Sequence, residues 1–291
     1  MNNYTKQPTV FIVVLNFNGK DTLNGCLSSL YQSDYPEFEV VVVDNDSKDG
    51  SFEQAKQFFS RAHFIKNDTN LGFAKGNDVG IRFALEKFAD YVFILNNDAF
   101  VEKTTLSILI QTMKRNPNIG IASPLIFSAN NKIWFAGGKI NWLKMKAFHL
   151  YEVPSVSPYA TEYITGCSML VKKEVFKKIG LFDERFFLYY EDADFSVRAK
   201  KAGFDLCIIP EAHLQHLEQS SNKNAAKLYW LVLSGLLFFH LNASFFQKIW
   251  LFFYLQIRKI KNTCDIVFRK KDTAALVRKA YNDFKNLRSN L

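Results

Sequence analysis

The chain has 291 residues, of which 48% are apolar and 22% charged, and this composition excludes collagen-like, wholly disordered and disulfide-rich proteins. Residues 1–220 contain 24 basic and 25 acidic side chains, whereas residues 221–291 contain 13 and 3. The formal net charge of +9 therefore arises from the last quarter of the chain. Proteins that bind nucleic acid more often carry basic residues across the folded domain, so this distribution argues against a nucleic-acid partner.

The cysteines and the N-terminal segment indicate the compartment. The four cysteines form no CxxC pair and have no metal-ligand spacing, which is typical of free thiols in a reducing compartment. The apolar run at residues 10–15 is too short for the core of a signal peptide, so it is predicted to be the first strand of a cytoplasmic protein.

The first half of the sequence alternates short apolar runs with amphipathic stretches. Strands are predicted at residues 10–15, 40–43, 63–65, 91–95 and 119–122. Helices are predicted between them at residues 20–32, 51–61, 73–89 and 103–115. This alternation is typical of an α/β domain with a parallel sheet covered on both faces. In such domains ligands bind beyond the carboxyl ends of the strands.

Polar turns follow four of these predicted strands. They are Asn16-Phe17-Asn18-Gly19, Asp44-Asn45-Asp46-Ser47, residues 67–77, and Asn96-Asn97-Asp98. Asn, Asp and Gly are also common turn and capping residues, so any one turn alone is explained by local structure. Four such turns at one sheet edge predict a ligand site.

The alternation of apolar runs and amphipathic stretches becomes irregular between residues 124 and 162 and then resumes. A strand at 163–171, helices at 173–179 and 191–202, and a strand at 206–209 are predicted. His213 and His216 follow that last strand, and a single histidine is more often a surface or packing residue than a ligand. Residues 1–220 are predicted to form one α/β domain.

The motifs for binding phosphate restrict the chemistry. No GxxxxGK[ST] or GxGxxG motif follows a strand, so the usual signatures of an NTPase and of a dinucleotide-dependent dehydrogenase are missing. Binding of a nucleoside diphosphate then calls for a divalent cation held by carboxylates, and Asp98 lies at a predicted strand end. A second acidic cluster, Glu191-Asp192-Ala193-Asp194, begins a predicted helix, where acidic residues also stabilise the helix dipole.

An ordered set of motifs resembles family 2 glycosyltransferases of the GT-A fold, a Rossmann-like mixed α/β sheet, and in particular their bacterial rhamnosyltransferase-like branch. The resemblance covers residues 9–220. Its motifs are Asp44-Asn45-Asp46-Ser47, Asn70-Leu71-Gly72-Phe73-Ala74-Lys75-Gly76-Asn77, Asn96-Asn97-Asp98, Thr165-Gly166-Cys167, Gly180-Leu181-Phe182-Asp183-Glu184, Tyr190-Glu191-Asp192-Ala193-Asp194-Phe195 and His216.

The resemblance implies a role for each matching position. Asp192 corresponds to the catalytic base, with Glu191 beside it, and Asp98 and His216 correspond to metal ligands. Asn96, which replaces the first Asp of the family's DxD motif, would contact the metal or the ribose, and this replacement leaves the choice of metal open. Positions implied to bind the donor are Asn16, Asp44 at the nucleobase, Asn70, Gly72, Lys75, Asn77, Asn96, Asn97 and Gly166.

The resemblance further implies an inverting transfer that depends on Mg²⁺ or Mn²⁺. The donor would be a dTDP- or UDP-sugar, with rhamnose as one candidate sugar. The acceptor would be a saccharide, in some cases linked to a polyprenyl diphosphate, in the synthesis of bacterial surface polysaccharide. A nucleotidyltransferase that forms sugar nucleotides and a non-enzymatic protein that binds membranes or nucleic acid are the alternatives.

The C-terminal segment, residues 221–291, is predicted to be a separate helical extension. Its apolar blocks at 228–241 and 245–257 are shorter than the roughly 20 residues that span a bilayer, so they are predicted to lie at a membrane surface. Basic residues follow and favour the anionic cytoplasmic face of the cell membrane. They include Arg258, Lys259, Lys261, Arg269, Lys270 and Lys271. The alternative is that both blocks are core helices.

Overall fold

A computed structural model describes residues 7–217, 225–269 and 272–288. The strands are β1 (Val10–Asn16), β2 (Phe38–Asp44), β3 (His63–Lys66), β4 (Tyr91–Asn96), β5 (Ala99–Val101), β6 (Ile119–Ser128), β7 (Ile133–Phe135), β8 (Gly138–Asn141), β9 (Lys146–His149), β10 (Tyr159–Ala160), β11 (Ser168–Lys172) and β12 (Asp205–His216). The helices are α1 (Leu23–Tyr31), α2 (Ser51–Phe58), α3 (Gly72–Glu86), α4 (Thr105–Arg115), α5 (Lys173–Ile179), α6 (Glu191–Lys201), α7 (Ala225–Asn242), α8 (Phe245–Val267) and α9 (Asp272–Arg288).

One large mixed sheet organises the fold, with the strand order β10-β12-β6-β11-β4-β1-β2-β3. Strands β1, β2, β3 and β4 are parallel to one another, and their carboxyl ends therefore meet at one edge. β1 and β2 are apolar and almost wholly buried, as expected for parallel strands covered by helices on both faces. β11 is antiparallel to both β4 and β6, which makes the sheet mixed. Strands β8 and β9 form a separate hairpin.

Three predicted strand boundaries are wrong, the first being the strand predicted at 119–122, which continues to Ser128 as β6. The strand predicted at 163–171 begins only at Ser168, and the N–H of Gly166 donates to the Asp192 carboxylate instead of to a neighbouring strand. The strand predicted at 206–209 continues to His216 as β12, so His213 and His216 lie within it. A register shift between Ile209 and His213 accommodates the intervening proline, which has no N–H to donate.

Helix α7 is part of the hydrophobic core. Phe238 and Phe239 are 0% and 2% exposed, and their rings pack against Tyr190 and Trp142. At the end of α7, Asn242 Nδ2 donates to Asp194 Oδ1 over 2.8 Å, which links α7 to α6. The prediction of a helix at the membrane surface is therefore wrong for block 228–241, and the alternative of a core helix is correct.

Helix α8 has a different environment. Leu251 and Leu255 are buried against the rest of the protein, while the opposite side of the helix is exposed and apolar. The exposed side chains are Phe245, Phe246, Ile249, Trp250, Phe252, Phe253, Ile257, Ile260 and Val267. Lys270 and Lys271 lie outside the described residues. Within the described ranges, no helix combines the length and the apolar character that crossing a membrane requires.

The burial of α7 predicts a difference between two phenylalanines of the C-terminal segment. Phe238→Ala should lower the free energy of unfolding by about 3–5 kcal/mol, because the substitution leaves a cavity in a packed core. Phe246→Ala, at a position 80% exposed, should change it by no more than about 0.5 kcal/mol. Urea unfolding of both variants measures the difference. Equal effects would show that α7 is not a core helix.

Candidate active site

A network of buried side chains joins the carboxyl ends of β1, β2 and β4. Asn16 is fully buried, and its Nδ2 lies 2.8 Å from Asp44 Oδ1, 3.1 Å from Ser47 Oγ and 2.9 Å from Ser51 Oγ. Its Oδ1 accepts a bond of 2.9 Å from Asn97 Nδ2. The structure therefore brings together three of the positions predicted to bind the donor, Asn16, Asp44 and Asn97.

Asp44 holds the turn after β2 in place. It is fully buried, and its second carboxylate oxygen accepts the N–H of Ser47 over 2.9 Å. Its backbone oxygen accepts the N–H of Asn67 over 2.8 Å, which connects the turns after β2 and β3. Both carboxylate oxygens are thus bonded within the protein. Contact with a nucleobase remains a prediction.

A second amide network follows β2 and β3. Asn45 Nδ2 donates to the Gly72 carbonyl over 2.9 Å and to Asn70 Oδ1 over 3.3 Å, and Asn45 Oδ1 accepts from Asn67 Nδ2 over 2.9 Å. Gly72 has a φ of +78°, and an added Cβ would lie 2.3 Å from the Phe187 carbonyl oxygen, so only glycine fits. Asn45 and Asn67 were not among the predicted site residues, although both lie in the polar turns.

Two positions of α3 that were predicted to bind the donor have other contacts. Lys75 is about half exposed, and its Nζ lies 3.6 Å from a carboxylate oxygen of Glu184. Asn77 is fully buried within the helix, and its Nδ2 donates to the Phe73 carbonyl over 2.9 Å. The structure does not bring either side chain into the amide networks, so their contact with a donor remains a prediction.

The candidate catalytic base is held by a neighbouring loop. Gly166 donates its N–H to Asp192 Oδ2 over 2.9 Å, and the N–H of Ala193 donates to Asp192 Oδ1 over 2.7 Å. A Cβ at position 166 would lie 2.8 Å from the ring of Phe73 and 3.6 Å from the Cβ of Asp192. Gly166 is therefore placed against Asp192 and allows the close approach of the two loops.

The electrostatic environment distinguishes the two neighbouring acids. Burial raises the pKa of Glu191 well above its ordinary value, and the Asp192 carboxylate raises it further. Burial also raises the pKa of Asp192, although the N–H bonds from Gly166 and Ala193 oppose this rise. We therefore assign the negative charge of the pair to Asp192, whose raised pKa makes it a better proton acceptor than an ordinary aspartate.

The loop before Asp192 adopts an uncommon backbone conformation. Tyr189 and Tyr190 have φ values of +69° and +67°, and such left-handed conformations of non-glycine residues cost about 1–3 kcal/mol each. Helix α7 supports this loop: Ser234 Oγ donates to the Leu188 carbonyl over 2.8 Å, and Phe187 stacks on Trp230 with a centroid separation of 4.4 Å. The C-terminal segment therefore positions the catalytic loop.

Asp98 and His216 form the candidate metal site. Asp98 Oδ1 and His216 Nε2 form an ion pair over 3.0 Å, and His216 Nδ1 is buried without a hydrogen-bond partner. Burial lowers the pKa of His216, whereas contacts with Cys167 and Asp98 raise it to about 10. A cation would displace that proton, because only neutral imidazole binds a metal.

Asp98 and His216 give a cation only a small number of protein ligands. No cluster of three or more Asp, Glu, His or Cys side chains suited to a metal occurs within the described ranges. A buried carboxylate beside an imidazole fits a divalent cation, provided that a substrate completes the coordination. Asn96 connects this pair to the loop that carries Gly166, since its N–H donates to the Cys167 carbonyl over 3.0 Å.

The fold and the sequence are similar to those of known glycosyltransferases. The chain is 27% identical over 210 residues to the dTDP-rhamnosyl transferase RfbF of Shigella flexneri, covering 71% of this chain and 68% of RfbF. It is 25% identical over 240 residues to the N-acetylglucosaminyl-diphospho-decaprenol L-rhamnosyltransferase of Mycobacterium tuberculosis, covering 74% and 78%.

A solved structure shares the GT-A fold. It is the mannosyltransferase PcManGT from Pyrobaculum calidifontis in complex with GDP-Man and Mn²⁺, with a TM-score of 0.62 and 16% identity. The match covers 98% of this chain and 84% of that one. Residues 11–180 match the family described as Glycosyl transferase family 2, which is more than half of the chain. The chain therefore belongs to glycosyl transferase family 2.

Proposed function

We propose that the protein transfers a sugar from a nucleoside diphosphate to an acceptor hydroxyl, with inversion at the anomeric carbon and with a divalent cation. The observation that carries the proposal is the position of Asp192. Its buried carboxylate is fixed by Gly166, on the loop whose Cys167 carbonyl accepts the N–H of Asn96 beside the Asp98–His216 pair. A base and a candidate cation site thus lie at one edge of the sheet.

The chemistry of this arrangement is a direct displacement. The carboxylate of Asp192 accepts the proton of the acceptor hydroxyl while that oxygen attacks the anomeric carbon. The bond from the anomeric carbon to the diphosphate oxygen breaks on the opposite face, and its electron pair leaves with the nucleoside diphosphate. The proton ends on Asp192, so no covalent intermediate with the enzyme is required.

The proposed cation would be held by Asp98 Oδ1 and a nitrogen of His216, with the Asn96 side chain and donor oxygens nearby. When bound, Mg²⁺ or Mn²⁺ neutralises the charge that develops on the leaving diphosphate. A nitrogen ligand favours Mn²⁺ over Mg²⁺. We propose that the buried amide networks around Asn16 and Asn45 hold the turns that receive the nucleoside.

The relatives support a finer proposal for the substrates. The names of the two relatives specify dTDP-rhamnose chemistry and an acceptor linked to diphospho-decaprenol. We propose a dTDP- or UDP-sugar as donor, with rhamnose as a candidate, and a saccharide carried on a polyprenyl diphosphate as acceptor. Such chemistry belongs to the synthesis of bacterial surface polysaccharide.

A lipid-linked acceptor calls for contact with a membrane. The exposed apolar side of α8 and the basic residues Arg258, Lys259 and Lys261 support peripheral association with an anionic, cytoplasmic membrane face. Family membership sets aside the alternatives of a nucleotidyltransferase and of a non-enzymatic scaffold.

Asp192→Asn should lower the rate of sugar transfer by about 10²- to 10⁴-fold, because the amide cannot accept the proton of the acceptor hydroxyl. Binding of dTDP or UDP should change by less than about threefold. A panel of dTDP- and UDP-sugars with Mn²⁺ measures transfer, and Glu37→Gln, which changes an exposed acid before the first residue of β2, is the control. A variant that keeps nearly full activity would disprove the assignment of the base.

Asp98→Ala should abolish the dependence of nucleotide binding on Mn²⁺, because it removes a proposed ligand. Calorimetry of dTDP and UDP binding, with Mn²⁺ or with a chelator, measures this dependence. Asp205→Ala removes an exposed carboxylate at the other end of β12, and nucleotide binding by this control variant should still depend on Mn²⁺. If the wild-type protein binds nucleotide equally well in chelator, the cation is not part of the donor site.

Phe252→Ser combined with Phe253→Ser should reduce flotation with vesicles that contain phosphatidylglycerol, because both side chains lie on the exposed side of α8. Phe88→Ser removes an 86% exposed phenylalanine distant in sequence from α8 and should have no effect. High salt should weaken wild-type flotation, since basic residues near an anionic surface contribute about 1 kcal/mol each. Flotation that is indifferent to both changes would contradict this proposal.

A further inference from the structure

A cavity of about 430 Å³ lies between α7, α8 and the β8–β9 hairpin. Its walls are mostly apolar: Leu231, Leu236 and Phe239 come from α7, and Leu251 and Leu255 come from α8. Two bonds fix α8 to the turn of the hairpin, from Trp250 Nε1 to the Leu143 carbonyl over 2.9 Å and from Tyr254 Oη to the Lys144 carbonyl over 3.2 Å. The cavity lies in the size range of ligand pockets.

Three cations accompany this apolar surface. Lys144 and Lys146 line the cavity from the hairpin, and Arg258 lines it from α8. None of the three forms an ion pair with a carboxylate of residues 7–217, 225–269 or 272–288. Three unneutralised cations around an apolar cavity are complementary to an anion that carries an apolar chain.

The cavity adjoins the catalytic base. A smaller cavity of about 170 Å³ is lined by Glu191 and Asp192, and it shares Ala147, Tyr190 and Leu231 with the larger one. A ligand that fills the larger cavity can therefore extend past Tyr190 to the carboxylate of Asp192. On the opposite side of α8 lies the exposed apolar surface described above.

We propose that the larger cavity binds the diphosphate and the adjoining apolar segment of a lipid-linked acceptor, with the acceptor sugar in the smaller cavity. This inference rests on the proposed function. Lys144, Lys146 and Arg258 hold the diphosphate, and the leucines of α7 and α8 contact the lipid. The hydroxyl to be glycosylated then lies beside Asp192.

Two ligands could bring a diphosphate group to the three cations of the larger cavity: a lipid-linked diphosphate and free inorganic diphosphate. The apolar walls favour the lipid, because a free diphosphate gains nothing from Leu231, Leu251 or Leu255. The donor nucleotide also carries a diphosphate, but its candidate cation pair, Asp98 and His216, does not line this cavity. The two diphosphates of the reaction are thereby assigned to separate sites.

Farnesyl diphosphate, inorganic pyrophosphate and farnesol distinguish these sources. In calorimetry with the full chain, farnesyl diphosphate should bind at least about tenfold more tightly than either of the other two. Lys146→Ser combined with Arg258→Ser should weaken its binding by about tenfold or more, because two charge-assisted contacts are lost. Lys139→Ser combined with Lys248→Ser removes the same charge from the same hairpin and the same helix, outside the cavity lining, and should change the affinity for farnesyl diphosphate less than about twofold.

Each contrary result overturns the inference in a different way. Equal loss in both double variants would show a diffuse basic surface, and equal binding of pyrophosphate would show a site for the free anion only. Sugar transfer that requires Asp192, together with no binding of farnesyl diphosphate, would overturn this site and leave the proposed function intact. A chain that binds no nucleoside diphosphate would overturn the proposed function itself.

Discussion

The catalytic loop depends on packing that holds Tyr189 and Tyr190 in left-handed conformations. Such conformations persist only where the surroundings impose them, and here the surroundings are α7 and the rings of Phe238 and Phe239. The loop leads directly into α6, whose first turn carries Glu191 and Asp192. Helix α7 of the C-terminal segment thus supports the loop that positions the candidate base, Asp192.

The donor side of the site is organised by amide groups in place of a glycine-rich phosphate loop. Asn16 donates to Asp44, and Asn45 bonds to Asn67 and Asn70, so the burial of Asn16 and Asn45 does not leave their amide donors unpaired. Asp98 and His216 differ, because they pair with each other over 3.0 Å and His216 Nδ1 is buried without a hydrogen-bond partner. This contrast with the satisfied amides makes the acid–imidazole pair the candidate site for a cation.

The sequence predicts the sheet edge well, because apolar strands followed by polar turns have a fixed geometry in α/β domains. Prediction from the sequence fails where the same local pattern is compatible with more than one tertiary environment. The block 228–241 is apolar in composition whether it lies on a membrane or in a core, and only contacts with Tyr190 and Trp142 decide. Likewise, β12 continues past Pro210 through a bulge, beyond the end predicted at residue 209. The candidate catalytic acids, by contrast, lie in a dense acidic motif at a helix start, where the sequence predicts them.

The net charge of +9 has a structural explanation in the C-terminal segment. Helix α8 is apolar on two sides: the inner side closes a cavity, and the outer side is exposed. An exposed apolar side does not stabilise a helix that is surrounded only by water. A helix buried on all sides in a core would not have so many cationic residues beside it. Both features are accounted for if the inner side contacts one lipid-linked diphosphate and the outer side rests on the membrane that supplies it. Arg258 then belongs to the cavity, while Lys259 and Lys261 remain available to anionic headgroups.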